Sequence, residues 1–117
     1  MKKGELIDRY HQAWTTGDFT TARSCLADNL DFQGSIDAFS TADAFIEALK
    51  GFRQMVRGVT LLQSCHDDNG SALLYDCDTA SPAGVLRTAE FFMVSDGKIS
   101  SIRLVFDATE LRKAMQR

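Results

Sequence analysis

The second half of this chain is a row of four apolar runs separated by turn signals, and a sheet is the only regular way to fold it. The runs cover residues 59–66, 72–79, 85–94 and 99–107. Between them stand Asp68-Asn69-Gly70, Ser81-Pro82-Ala83-Gly84 and Asp96-Gly97. Asn-Gly and Asp-Gly tolerate the positive φ of tight hairpins, so successive antiparallel hairpins, a meander, are expected.

The first half reads in a different period. Leu6, Ile7, Tyr10, Ala13 and Trp14 recur at helical spacing, and Gly17 is a natural stop. Asp18 caps a second short helix with Phe19, Ala22, Cys25 and Leu26 inward. Residues 30–33 alternate as a short strand. Ser40 and Asp43 open a third helix, whose stripe is Phe45, Ile46, Leu49, Phe52, Met55 and Val56 and which Gly58 ends. Asp107 and Glu110 suit the start of a final helix over 109–115. Helices first and a meander afterwards is the α+β pattern, here as one domain over 1–117. A chain of this length buries about two-thirds of its surface, enough for a core without metal or disulfide.

Charge and cysteine exclude several functions. The net charge is −3 with no basic stripe, so nucleic acid is not an expected partner. Three scattered cysteines without a CxxC pair predict reduced thiols, no metal site and no cofactor. No leader-like or membrane-length apolar segment is present, so a cytoplasmic protein is expected.

Glu90 is the residue out of place. It sits mid-strand between Ala89 and Phe91, where a buried carboxylate must be paired or protonated. A two-residue turn at Asp96-Gly97 sets it opposite Arg103; a three-residue turn sets it opposite Ile102. If Pro82 and Ala83 are the central turn residues, Tyr75 opposes it on the other side.

These residues carry a resemblance. Arg9-Tyr10 through Gly17-Asp18 to Leu26-Ala27-Asp28-Asn29 is similar to the N-terminus of the ketosteroid isomerase and SnoaL-like proteins, of the nuclear transport factor 2 superfamily. Glu90-Phe91-Phe92-Met93-Val94 with Asp96-Gly97-Lys98-Ile99-Ser100-Ser101-Ile102-Arg103 resembles their final hairpin. The resemblance implies a cone: a strongly bent antiparallel sheet wrapped around three N-terminal helices, with a short C-terminal helix and a pocket at the open end. It implies that Tyr10 stands at the oxyanion-hole tyrosine and Glu90 at the protonated acid beside it. It also implies that Ile102, Leu104 and Phe106 line the pocket, which favours the three-residue turn. The family's general base would fall at Gly34, and glycine abstracts no proton.

The expected catalytic pair is therefore Tyr10 and Glu90, within hydrogen-bond reach of one another directly or through one water. The expected ligand-binding wall is Trp14, Phe32, Phe45, Leu49, Phe52, Tyr75, Phe92, Ile102, Leu104 and Phe106. Asp31 and Asp37 flank the missing base, and either could replace it if the loop between Gln33 and Ser40 folds inward. Asp76 and Asp78 read as a solvated face, and His66 as an exposed turn neighbour.

Two functions follow. One is a pocket for a small hydrophobic ligand bearing a carbonyl or hydroxyl, with isomerase-, cyclase- or hydrolase-type chemistry. The other is a non-catalytic dimeric interaction module with its cavity filled by phenylalanines. A pocket of about 300 Å³ or more beside Glu90 would favour the first. Either way a homodimer is expected, because Arg87, Ala89, Phe91, Met93, Arg103 and Val105 share an outer face too apolar for solvent.

Overall fold

In the computed structural model, which describes residues 1–115, the helical and strand halves meet across one curved, unclosed sheet. Helix α1 spans Lys3–Thr15 and buries Leu6, Ile7, Tyr10, His11, Ala13 and Trp14. Gly17 ends it at φ +86°. Its amide bonds the Trp14 carbonyl, and the Asp18 amide bonds that of Ala13, so two orphan carbonyls of the last turn are satisfied. Helix α2, Phe19–Ser24, is capped as expected by the Asp18 carboxylate, which accepts from the Thr21 amide at 3.1 Å.

Strand β1, Leu26–Gln33, begins earlier than the alternation suggests; Leu26 is its first residue and not part of α2. It pairs with the two-residue strand β2, Ala38–Phe39. Helix α3, Ala42–Arg53, has Thr41 and not Ser40 as its cap, the hydroxyl accepting from the Ala44 amide. It stops well before Gly58. The Arg53 guanidinium turns back to the carbonyls of Thr15 and Val56, and Val56 already belongs to the next strand.

Strands β3 (Val56–Asp67), β4 (Gly70–Thr79), β5 (Val85–Ser95) and β6 (Lys98–Val105) form the antiparallel meander. The sheet order is β2-β1-β6-β5-β4-β3. β1 thus joins the far end of the meander, and it runs parallel to β6. Helix α4, Thr109–Met115, follows, with the Asp107 carboxylate accepting from the Thr109 amide and hydroxyl.

Two registers differ from expectation. Ser95 does pair with Lys98 around Asp96-Gly97, but a bulge follows: Val94 pairs with Ile99 and Met93 with Ser101. The extra residue sets Glu90 opposite Leu104, neither Arg103 nor Ile102. The β4–β5 loop is also longer than a two-residue turn. The Thr79 amide and hydroxyl both bond the Gly84 carbonyl, and Tyr75 pairs with Thr88 in place of Glu90.

The core lies between the inner sheet face and α1 and α3, with Leu30, Leu73, Ile99 and Ile102 at its centre. Among the described residues no helix is long and apolar enough to cross a membrane.

Candidate functional site

The concave sheet face and helices α1 and α3 do not close completely over one another. A cavity of about 100 Å³ remains, smaller than the 300 Å³ mark. Of the expected residues, Tyr10, Trp14, Phe32, Phe45, Leu49, Phe52, Tyr75, Glu90, Leu104 and Phe106 line it. Phe92 and Ile102 do not. They pair with each other across β5 and β6, nearly inaccessible, and the Tyr10 ring packs edge-on against Phe92 from α1. Helical cover over that stretch of sheet turns expected wall into core.

Seven lining residues escape a reading of the sequence, Ile36, Phe39, Ala48, Cys77, Leu86, Thr88 and Leu111, and Asp37, expected only as a candidate base, lines the cavity too. Strand alternation carries the signal for three of them. Cys77 follows Tyr75 on β4, and Thr88 and Leu86 precede Glu90 on β5, each at a spacing of two. The turn residues Ile36 and Asp37 have no period to betray them.

Glu90 is 1% exposed, on the middle of β5, with Leu73 opposite on β4 and Leu104 opposite on β6. Its carboxyl accepts a 2.5 Å hydrogen bond from the Tyr75 hydroxyl. Tyr75 reaches it diagonally, two residues along the ladder from Thr88. Tyr10 is not the partner. It lines the same cavity and feels the charge of Glu90, but no hydrogen bond joins the two. The expected dyad is thus a Tyr75–Glu90 pair with Tyr10 nearby.

Burial decides the protonation states. Loss of water pushes Glu90 up to about 7, against a smaller downward pull from the Tyr75 bond. Desolvation, then the neighbouring Glu90 charge, raises both Tyr10 and Tyr75 well above 10, so both remain phenols. The same two causes push the Cys77 thiol to about 12. Near neutral pH the floor of the cavity therefore presents hydroxyl, thiol and half-protonated carboxyl groups. Among the described residues two buried side-chain nitrogens, Nε1 of the wall residue Trp14 and Nδ1 of His11, whose ring packs edge-on against that of Trp14, have no hydrogen-bond partner. Burial holds His11 in its neutral form.

The two acids flanking Gly34 separate. Asp31 points outward and pairs with Arg103 at 2.9 Å. Asp37 lines the cavity mouth. A Cβ at Gly34 would lie 2.9 Å from the Phe32 ring and 3.2 Å from Asp37 Oδ1, so ring and carboxylate together fill the space a side chain there would need. Partial burial raises Asp37 above the ordinary carboxylate value.

Other candidates are tied up elsewhere. Asp76 is held bidentately by Arg87, and Asp78 by Arg57. His66 is exposed beside the turn, as expected, and it is also anchored. It bonds Ser71 at 2.8 Å and reaches Asp8 at 3.3 Å, pinning the β3–β4 hairpin to α1 away from the cavity. All three cysteines are free thiols, with only Cys65 exposed.

Residues 7–102 match the family model of the SnoaL-like domain. Among solved structures, a protein from Kribbella flavida DSM 17836 superposes with a TM-score of 0.88 at 30% identity, over 97% of this chain and 93% of its own. An NTF2-like protein of unknown function from Cytophaga hutchinsonii ATCC 33406 has a TM-score of 0.83 at 17% identity, over 96% of each chain. An LEH-like epoxide hydrolase of M. tuberculosis has one of 0.75 at 18% identity, over 98% of this chain and 90% of its own. A search of curated proteins gives no match.

Proposed function

The chain belongs to the SnoaL-like domain family, and on that footing we propose that it binds a small, largely apolar molecule through a carbonyl or hydroxyl oxygen. One observation carries this reading: a buried carboxyl, bridged to a phenol, on the wall of an otherwise apolar cavity. Leaving a charge there is costly, and the protonated acid can donate to a ligand oxygen.

Size limits the ligand. A cavity of about 100 Å³ suits a single ring with its substituents and not a fused polycycle. Steroid enones are poor substrates for two reasons: the volume, and the absence of a side chain at Gly34. Tyr10 and Glu90 keep their proposed roles as polarising groups, with Tyr75 added as the residue that orients Glu90. Isomerase-, cyclase- or hydrolase-type chemistry on such a ring compound is the enzymatic form of the proposal.

The small cavity also favours the second reading, a dimeric interaction module. Phe91, Met93 and Val105 are each more than half exposed on the outer face, and Val85 stands beside them on β5. A homodimer through this face belongs to both readings.

The discriminating experiment is isothermal calorimetry with cyclohexanol and cyclohexanone. Binding that survives in Glu90→Gln and weakens in Glu90→Leu supports the pocket reading, since an amide still donates. No binding of either compound, or equal affinity in a Glu90→Leu, Tyr10→Phe double variant, sinks it.

A further inference from the structure

Among the described residues the titratable side chains on the cavity wall are Asp37, Glu90, Tyr10, Tyr75 and Cys77, and none is a lysine, arginine or histidine. Every ionisation open to this wall adds negative charge. Among the described residues none of the ion pairs involves Asp37 or Glu90. Three cations of α3 and α4 make their contacts with other groups. Arg112 of α4 donates to the Ser35 carbonyl, Lys113 pairs with Glu110, and Lys50 of α3 pairs with Glu47. Asp37 is thus an exposed residue that contributes to the cavity lining with no ion-pair partner among the described residues, and its Oδ1 and the edge of the Phe32 ring flank the same space over Gly34.

A carboxylate in the lining of a pocket whose described wall carries no cation is the chemistry that recognises an ammonium group. We propose that the ligand carries a protonated amine, held by Asp37, while its oxygen end meets Glu90. The substrate class is then a ring-sized amino alcohol or amino ketone, and anionic ligands are refused. This rests on the pocket reading above and adds to it the charge of the ligand.

The test compares cyclohexanol with its para-amino and para-carboxylate derivatives by calorimetry near neutral pH, where the amine is protonated. The amino derivative is expected to bind at least about tenfold tighter than cyclohexanol, as a charge-assisted contact would give, and the carboxylate not at all. In Asp37→Asn the ratio of amine to alcohol affinity falls to about one, and Asp37→Glu restores a preference for the amine. Cyclohexanol binding with no advantage for the amine, or an advantage that persists in Asp37→Asn, overturns the proposal and leaves the pocket reading standing. Failure of all three compounds to bind overturns both.

Discussion

Replacing Glu90 with glutamine should flatten the pH dependence of stability between about pH 4.5 and about pH 7. The carboxyl titrates near its ordinary 4.5 in the unfolded chain and at about 7 in the folded one. Below the lower value both states hold the proton, and folding loses nothing to ionisation. Between the two values the unfolded chain releases its proton while the folded chain keeps it, so stability falls as pH rises. Above about 7 the loss is complete. The gap between the two values corresponds to on the order of 3 kcal/mol, a large share of a typical domain's stability. His11 titrates in the opposite sense, since burial lowers it and acid must charge it, but it is common to both proteins and cancels in the difference. Urea denaturation across this range should show the wild type losing most of that energy relative to Glu90→Gln. Parallel curves would mean that Glu90 ionises as freely in the fold as out of it, and the desolvation argument would fail.

Three further outcomes are expected. Tyr75→Phe removes the donor that holds Glu90 down, so carbon NMR of the Glu90 carboxyl should show its midpoint moving upward, with about 1–3 kcal/mol lost at alkaline pH; an unmoved midpoint would show that the bond is immaterial. Gly34→Ala drives a Cβ into the Phe32 ring, which is pinned on Phe45, and should cost about 1–3 kcal/mol in urea melts; an unchanged midpoint would show slack there. Sedimentation should find a dimer at micromolar concentration and a monomer for Phe91→Glu, and a wild type that is monomeric throughout contradicts the outer-face argument.

Local signals read well in this chain and long-range ones did not. Gly17, Asp18 and Asp96-Gly97 act through their own backbone neighbours, and each appears where its chemistry requires. The bulge after Met93 is set by how β6 must bend, and no residue type at Ser100 announces it; it moved Glu90 to face Leu104. The parallel pairing of β1 with β6 joins segments with no sequence proximity. The same limit applied at the cavity. Tyr75 was expected on the wall, but its bond to Glu90 depends on a diagonal that only the true β4–β5 register creates. Asp37 lies on a turn without periodicity, where exposure and inward folding read alike.

The pairing of β1 with β6 also orders events in time. Asp31 on β1 and Arg103 on β6 are bonded across 72 positions of chain. During synthesis β1 and α3 emerge long before the strand that β1 needs, whereas β3 to β6 pair with their immediate successors. Closing so long a loop is the slow step expected of non-local pairings. Until it happens, Phe32 and Phe45 stack on a half-built sheet with apolar surface open to water. A nascent chain stalled before residue 98 would lack Leu104, Phe106 and Leu111 of the cavity wall and the strand that joins β1 to the meander, leaving apolar surface and an unpaired strand edge of the kind that aggregates.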